Sequence, residues 1–122
     1  MGKTLLYDMI AEFHQKFDLP IEEIVTTREL DYRKKLIDEE HKELGEAIDS
    51  EPCENILKEL VDTIYVLIGT AVEFGWDIDE ALRRVHKSNL SKLGEDGKPI
   101  FREDGKVLKG PNYREPNLED LV

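Results

Sequence analysis

An all-α fold is what this sequence of 122 residues predicts, on three observations. Apolar residues recur at helical rather than alternating spacing. Punctuation residues, Leu19-Pro20, Ser50 with Pro52, and Gly75, fall between the periodic stretches. The longest apolar run, LVDTIYVLIGTAV at 60–72, is apolar on nearly every side, as a helix surrounded by other helices must be.

Four helices follow in order. The first is expected from Lys3 to Phe17, with Leu5, Met9, Phe13 and Phe17 on one stripe, and it stops before Leu19-Pro20. Thr26, with Glu29 three residues later, has capping-box spacing and opens a long second helix to about Asp49. The third runs from Glu54 to Phe74 and is ended by Gly75. Asp77 and Glu80 begin the fourth, which is expected to last to Leu93. Together these predict a four-helix bundle over residues 1–94, whose third helix is central or lies at a subunit interface.

After Gly94 the texture changes. EDGKPIFR is followed at once by EDGKVLKG, a near-repeat with an Asp-Gly turn signal in each half. Residues 95–122 are therefore expected to be an irregular or hairpin-like arm of the same domain.

With 28 acids against 17 bases, the net charge of −11 repels nucleic acid polymers and anionic membranes. A small polyanion can still bind if divalent cations lie between it and the protein. Cys53 stands alone and can form neither an internal disulfide nor a zinc site, and no stretch reads as a leader or a membrane span. The expected location is the cytoplasm.

The acids are unevenly placed. At about 100° per residue, Leu36, Ile37, Leu44, Ala47 and Ile48 form one apolar face of the second helix, with Glu40 in its middle, Glu43 at its edge, and Glu39 and Glu46 further round. A buried carboxylate there requires a base, a proton or a metal. The third helix repeats the anomaly with Glu59 and Asp62, with no basic residue after them until Arg83. The acids of the two helices either face each other and chelate a hard cation, or form a solvated face beside Lys34, Lys35, His41 and Lys42.

The pattern Glu39-Glu40-x-x-Glu43, then Glu59-x-x-Asp62, resembles the signature of the all-α nucleoside triphosphate pyrophosphatases. This is the MazG-like superfamily, which includes dimeric dUTPases and phosphoribosyl-ATP pyrophosphatase. EFHQKFDLP at 12–20, VHKSNLSKLGEDGKP at 85–99 and DGKVLKGPNY at 104–113 are similar to its phosphoribosyl-ATP pyrophosphohydrolase-like subgroup. The resemblance implies that Glu40, Glu43, Glu59 and Asp62 ligate Mg²⁺, with Mn²⁺ as an alternative, and that Glu39 orients or deprotonates the attacking water. It implies cleavage of a nucleoside triphosphate to the monophosphate and pyrophosphate, and contacts from Asn89 and Lys92 to the nucleotide. Lys and Arg residues of the fourth helix and arm are available for the pyrophosphate end, and His14, Phe13 and Phe17 for the base.

The subgroup points to dUTP or another pyrimidine dNTP, with phosphoribosyl-ATP as the alternative substrate. The apolar third helix predicts a homodimer, or a tetramer. Two other readings predict different chemistry. A di-iron carboxylate bundle needs Glu-x-x-His twice, and only Asp38-x-x-His41 approximates it. A non-catalytic acidic interaction module predicts no metal affinity.

Overall fold

The computed structural model describes residues 5–122. It is all-α, with α1 at Leu5–Lys16, α2 at Thr27–Ser50, α3 at Cys53–Phe74, α4 at Ile78–Leu90 and a final 3₁₀ turn at Glu119–Leu121. The expected helix start at Lys3 lies outside the described residues. None of the described helices is long and apolar enough to cross a membrane.

The caps fall where the sequence places them. Thr26 accepts a hydrogen bond from the Glu29 amide at 3.2 Å, and Asp77 accepts one from the Glu80 amide at 3.1 Å. Gly75 ends α3 with φ 69°, a left-handed conformation that favours glycine, and its neighbour Trp76 donates back to the Ala71 carbonyl at 2.9 Å. A Cβ at Gly75 would also meet the Glu22 side chain at 2.9 Å.

The described residues up to Trp76 form one compact unit, and Asp77–Val122 form another. In the first, α3 packs against both α1 and α2. Ile10, Ala47, Ile68, Ala71, Val72 and Phe74 are buried. Full burial of a residue such as Val72 contributes about 1.5–3 kcal/mol. The 20–25 loop is tied to the end of α3, because the Glu22 and Glu23 amides donate to the Val72 and Glu73 carbonyls at 3.0 and 2.7 Å. They lie in the last turn of the helix, where carbonyls lack the regular intrahelical partner, and the Val72 carbonyl also accepts from the Gly75 amide at 3.3 Å.

Two faces differ from the sequence reading. The buried stripe of α1 is Tyr7, Ile10 and His14, whereas Met9, Phe13 and Phe17 of the expected stripe are exposed. The helix is turned because His14 is drawn inward, its Nδ1–H donating to the Pro20 carbonyl at 2.8 Å. On α2, Ile48 is exposed, and the inward stripe is continued at its other end by Arg33. Within α3 the final two turns are buried, while Leu57, Leu60, Val61, Ile64 and Leu67 are exposed in the single chain.

In the second unit α4 stops at Leu90, three residues short of the expected Leu93. The chain tightens there: the amides of Ser91, Lys92 and Leu93 each bond three residues back, and the Lys92 carbonyl accepts from Gly110 at 2.8 Å. A Cβ on Gly110 would overlap the Leu93 carbonyl oxygen, so this close approach requires glycine. The hairpin-like expectation holds for residues 100–108, where Phe101 and Val107 form an antiparallel bridge around a turn containing Gly105 at φ 91°.

Candidate metal centre

Glu40 enters from α2 and Glu59 from α3. Carboxylate oxygens of Glu40, Glu43 and Glu59 lie within 4.8 Å of one another. Glu40 Oε2 and Glu59 Oε2 are buried and have no hydrogen-bond donor among the described residues. Burial, followed by repulsion from Glu43, Asp62 and Glu59, raises the Glu40 pKa above the usual carboxylate range. A buried acceptor without a donor costs about 1–3 kcal/mol, so two at one place call for a cation or a proton. The donors are all carboxylate oxygens on two rigid helices, which suits a hard ion such as Mg²⁺ or Mn²⁺ and not a soft one. The residues therefore fit the metal.

Asp62 stands apart from this triad, and the premise that the α3 acids lack a basic partner is corrected. Lys58 Nζ lies 2.9 Å from Asp62 Oδ2 and 3.3 Å from Glu59 Oε1. Hydrogen bonds to Asp62 and Glu59 raise the Lys58 pKa. The base precedes the acids by one and four residues, a spacing that helix geometry brings together. The ammonium is mostly solvent-exposed and competes with a metal for Asp62 and Glu59. Lys58→Met is expected to tighten Mn²⁺ binding about two- to fivefold, as measured by titration calorimetry; weaker binding would show that Lys58 organises the site.

Glu39 is exposed on α2. It lines an open groove with Asp31, Lys34, Lys35, Asp38 and Lys42, so this part of the helix is a solvated face of mixed charge, without an ion pair among those residues. Phe17 is exposed, stacked on Phe13 at 4.4 Å between centroids, and Phe13 meets Tyr65 edge-on at 5.4 Å. His14 is 3% exposed and sits against Gly69, where an added Cβ would lie 3.1 Å from Nε2 and 2.7 Å from Arg33 Nη2. Burial pushes its pKa down, against the Pro20 hydrogen bond and with help from Arg33. Asn89, in the last turn of α4, and Lys92, two residues beyond its end, belong to the second unit. Their side chains make no hydrogen bond or ion pair among the described residues.

A second buried polar cluster escaped the sequence reading. Arg33 donates to the Val66 carbonyl at 2.6 Å and to Thr70 Oγ1 at 3.1 Å, and its Nη1 lies 3.8 Å from Glu73 Oε1. Glu73 is 1% exposed, and its Oε2 has no donor among the described residues. The signal was present in the spacing, since Arg33 is seven residues before Glu40 on the same stripe of α2, and Glu73 is eleven after Asp62 on α3.

A family profile described as phosphoribosyl-ATP pyrophosphohydrolase matches residues 10–89, which contain all five signature acids. Among solved structures, the chain is similar to a candidate NTP pyrophosphohydrolase from Exiguobacterium sp. 255-15. The two are 24% identical, the match covers 93% of this chain and 90% of that one, and the TM-score is 0.49. No curated protein matches.

Proposed function

Because the chain belongs to the phosphoribosyl-ATP pyrophosphohydrolase family and is a pyrophosphohydrolase, we propose that it cleaves a (d)NTP between the α- and β-phosphates in a metal-dependent reaction. The observation that carries the metal dependence is the pair of buried, donorless oxygens on Glu40 and Glu59 of facing helices. Glu40, Glu43 and Glu59 would hold Mg²⁺ or Mn²⁺, with Asp62 joining once Lys58 is displaced. When held by these residues, such an ion would supply charge neutralisation at the phosphates and would lower the pKa of a water coordinated to it.

The chain's own residues do the rest. Glu39 accepts the proton of the attacking water, whose oxygen forms the new bond to the α-phosphorus while the bond to the bridging oxygen breaks and pyrophosphate leaves. Asn89 and Lys92, with unengaged side chains, contact the nucleotide. Phe17, stacked on Phe13, offers an exposed face to the base. His14 was a candidate for the same task, but its burial against Gly69 and its bond to Pro20 support a packing role that sets the rotation of α1.

We favour dUTP or another pyrimidine dNTP, because the arm resembles the dNTP-directed subgroup and lies outside the matched residues. Phosphoribosyl-ATP is the second reading, favoured by the description of the matched family. The exposed apolar row on α3, beside Met9 and Phe13 of α1, supports a homodimer as the working form, or a tetramer. The exposed, unpaired thiol of Cys53 fits a reducing cytoplasm.

The test is pyrophosphate release from a panel of canonical and modified (d)NTPs plus phosphoribosyl-ATP, with Mg²⁺, Mn²⁺ or EDTA. Metal-dependent turnover of a pyrimidine dNTP above the other substrates is expected. Preferred turnover of phosphoribosyl-ATP would establish the second reading. Undiminished turnover in EDTA would overturn metal dependence.

A further inference from the structure

The charge of the protein is segregated along the chain. Residues 77–122 hold nine of the 17 Lys and Arg but only ten of the 28 Asp and Glu, so nearly all of the net negative charge lies in the first unit. Within the second unit, α4 and the arm line an open cavity of about 400 Å³, within the size range of small-molecule sites, which runs from about 300 to 1,000 Å³.

Two clamps fix the arm around this cavity. Ser88 Oγ donates to the Arg114 carbonyl at 2.7 Å, and the Arg114 amide donates to Ser91 Oγ at 3.0 Å. Arg84 donates to Asp120 Oδ1 at 2.6 Å, to the Asn117 carbonyl at 2.9 Å and to Glu80 Oε2 at 2.9 Å. Arg84 is therefore saturated and serves as wall. Lys87 and Arg114 are not: both line the cavity, and among the described residues neither side chain has an ion pair or hydrogen bond. Glu115 also lines the cavity and pairs with neither. The serine clamp holds the Arg114 backbone against α4, so that two side-chain cations without a partner among the described residues line one concavity.

We propose that this cavity is a phosphate-binding site, in which Lys87 and Arg114 grip the terminal phosphates of a nucleoside polyphosphate or the pyrophosphate released from it. It rests on the pyrophosphohydrolase reading only for the source of the anion. Arg114 offers a planar fork matched to phosphate oxygens, and Lys87 offers a point charge on a flexible stem.

The experiment is titration calorimetry on the full chain in EDTA at low salt, which silences the metal centre, with inorganic pyrophosphate, dUTP and dUMP as separate probes. Pyrophosphate and dUTP are expected to bind more tightly than dUMP, and more weakly as salt rises. The Lys87→Ala/Arg114→Ala double variant should lose about tenfold in affinity per cation. Both side chains are exposed and the clamps use other atoms, so the variant should keep its circular dichroism. Arg83→Ala, on the same helix but outside the cavity, is the control for each single variant, Lys87→Ala and Arg114→Ala, since each removes one positive charge. Tighter binding of dUTP than of pyrophosphate would name the substrate as the source, and the reverse would name the product. Absence of binding by both, or an equal loss in Arg83→Ala, would overturn the site. Metal-dependent hydrolysis measured on the same samples reports separately on the reaction.

Discussion

Glu40→Gln is expected to abolish metal-dependent pyrophosphate release while making the metal-free protein more stable. The two effects have one cause. Without an ion, Glu40 is a desolvated carboxylate facing Glu43, Asp62 and Glu59, and its Oε2 has no donor. Glutamine nearly preserves the shape, removes the charge and brings an amide that can donate to the neighbouring carboxylates. The relief should be about 1 kcal/mol, by comparison with like-charge pairs and unsatisfied buried acceptors. The same change removes a central anionic ligand, and metal stabilisation of a reacting phosphoryl group is worth several kcal/mol, or about 10³-fold or more in rate. Scanning calorimetry in EDTA and a turnover assay with Mn²⁺ check the two halves. A variant that turns over like the wild type would remove Glu40 from the centre. One that loses several kcal/mol of stability would mean that Glu40 is a structural partner whose contacts the charge argument mistook.

Much of this was legible in the chain, for identifiable reasons. Helix ends were readable at Thr26, Gly75 and Asp77 because the cap depends on one side chain or one positive φ, which are local properties. The facing of Glu40 and Glu59 was readable because two acids on otherwise apolar faces have few places to go. The rotation of α1 was not, since it depends on a single bond from His14 to Pro20 across a loop, and apolar counting alone favoured the stripe through Met9 and Phe13. Lys58 lies before the acids it pairs with, and on a helix the preceding turn is as near as the following one, so the absence of a base after Asp62 does not leave these acids unpartnered. The Arg33 and Glu73 pair was missed because a charged residue on a helix reads as solvated until its partner on another element is known. The boundary after Trp76 has no compositional mark beyond Gly75, since a helix stop and a change of unit look alike in one sequence.

That pair carries the second large expectation: wild-type stability should fall relative to Glu73→Gln as pH rises from about 4.5 through about 7. Burial, then a hydrogen bond and repulsion from Glu29, and repulsion from Glu23 raise the Glu73 pKa to about 7, and Arg33 at 3.8 Å only partly opposes this. Glu73 Oε2 has no hydrogen-bond donor among the described residues, so a proton on the carboxyl itself is what relieves its burial. A carboxyl whose folded pKa lies above its unfolded value adds stability while protonated and forfeits it on ionisation. The difference should thus be near zero at the acidic end and level off above neutrality, at roughly 1–3 kcal/mol in favour of the variant. His14 contributes the opposite slope. Its pKa is lowered, so its share of stability is present above about 6.5, its unfolded value, and is lost as pH falls through the folded one. Because both groups adjoin Arg33, His14→Gln is needed in both backgrounds to separate them. Urea titrations at half-unit pH intervals supply the curves. A wild type parallel to Glu73→Gln across the window would mean that Glu73 stays ionised against Arg33, as a conventional buried ion pair. In that case Arg33→Met, which would strand the carboxylate, should cost about 3–5 kcal/mol at every pH above the window.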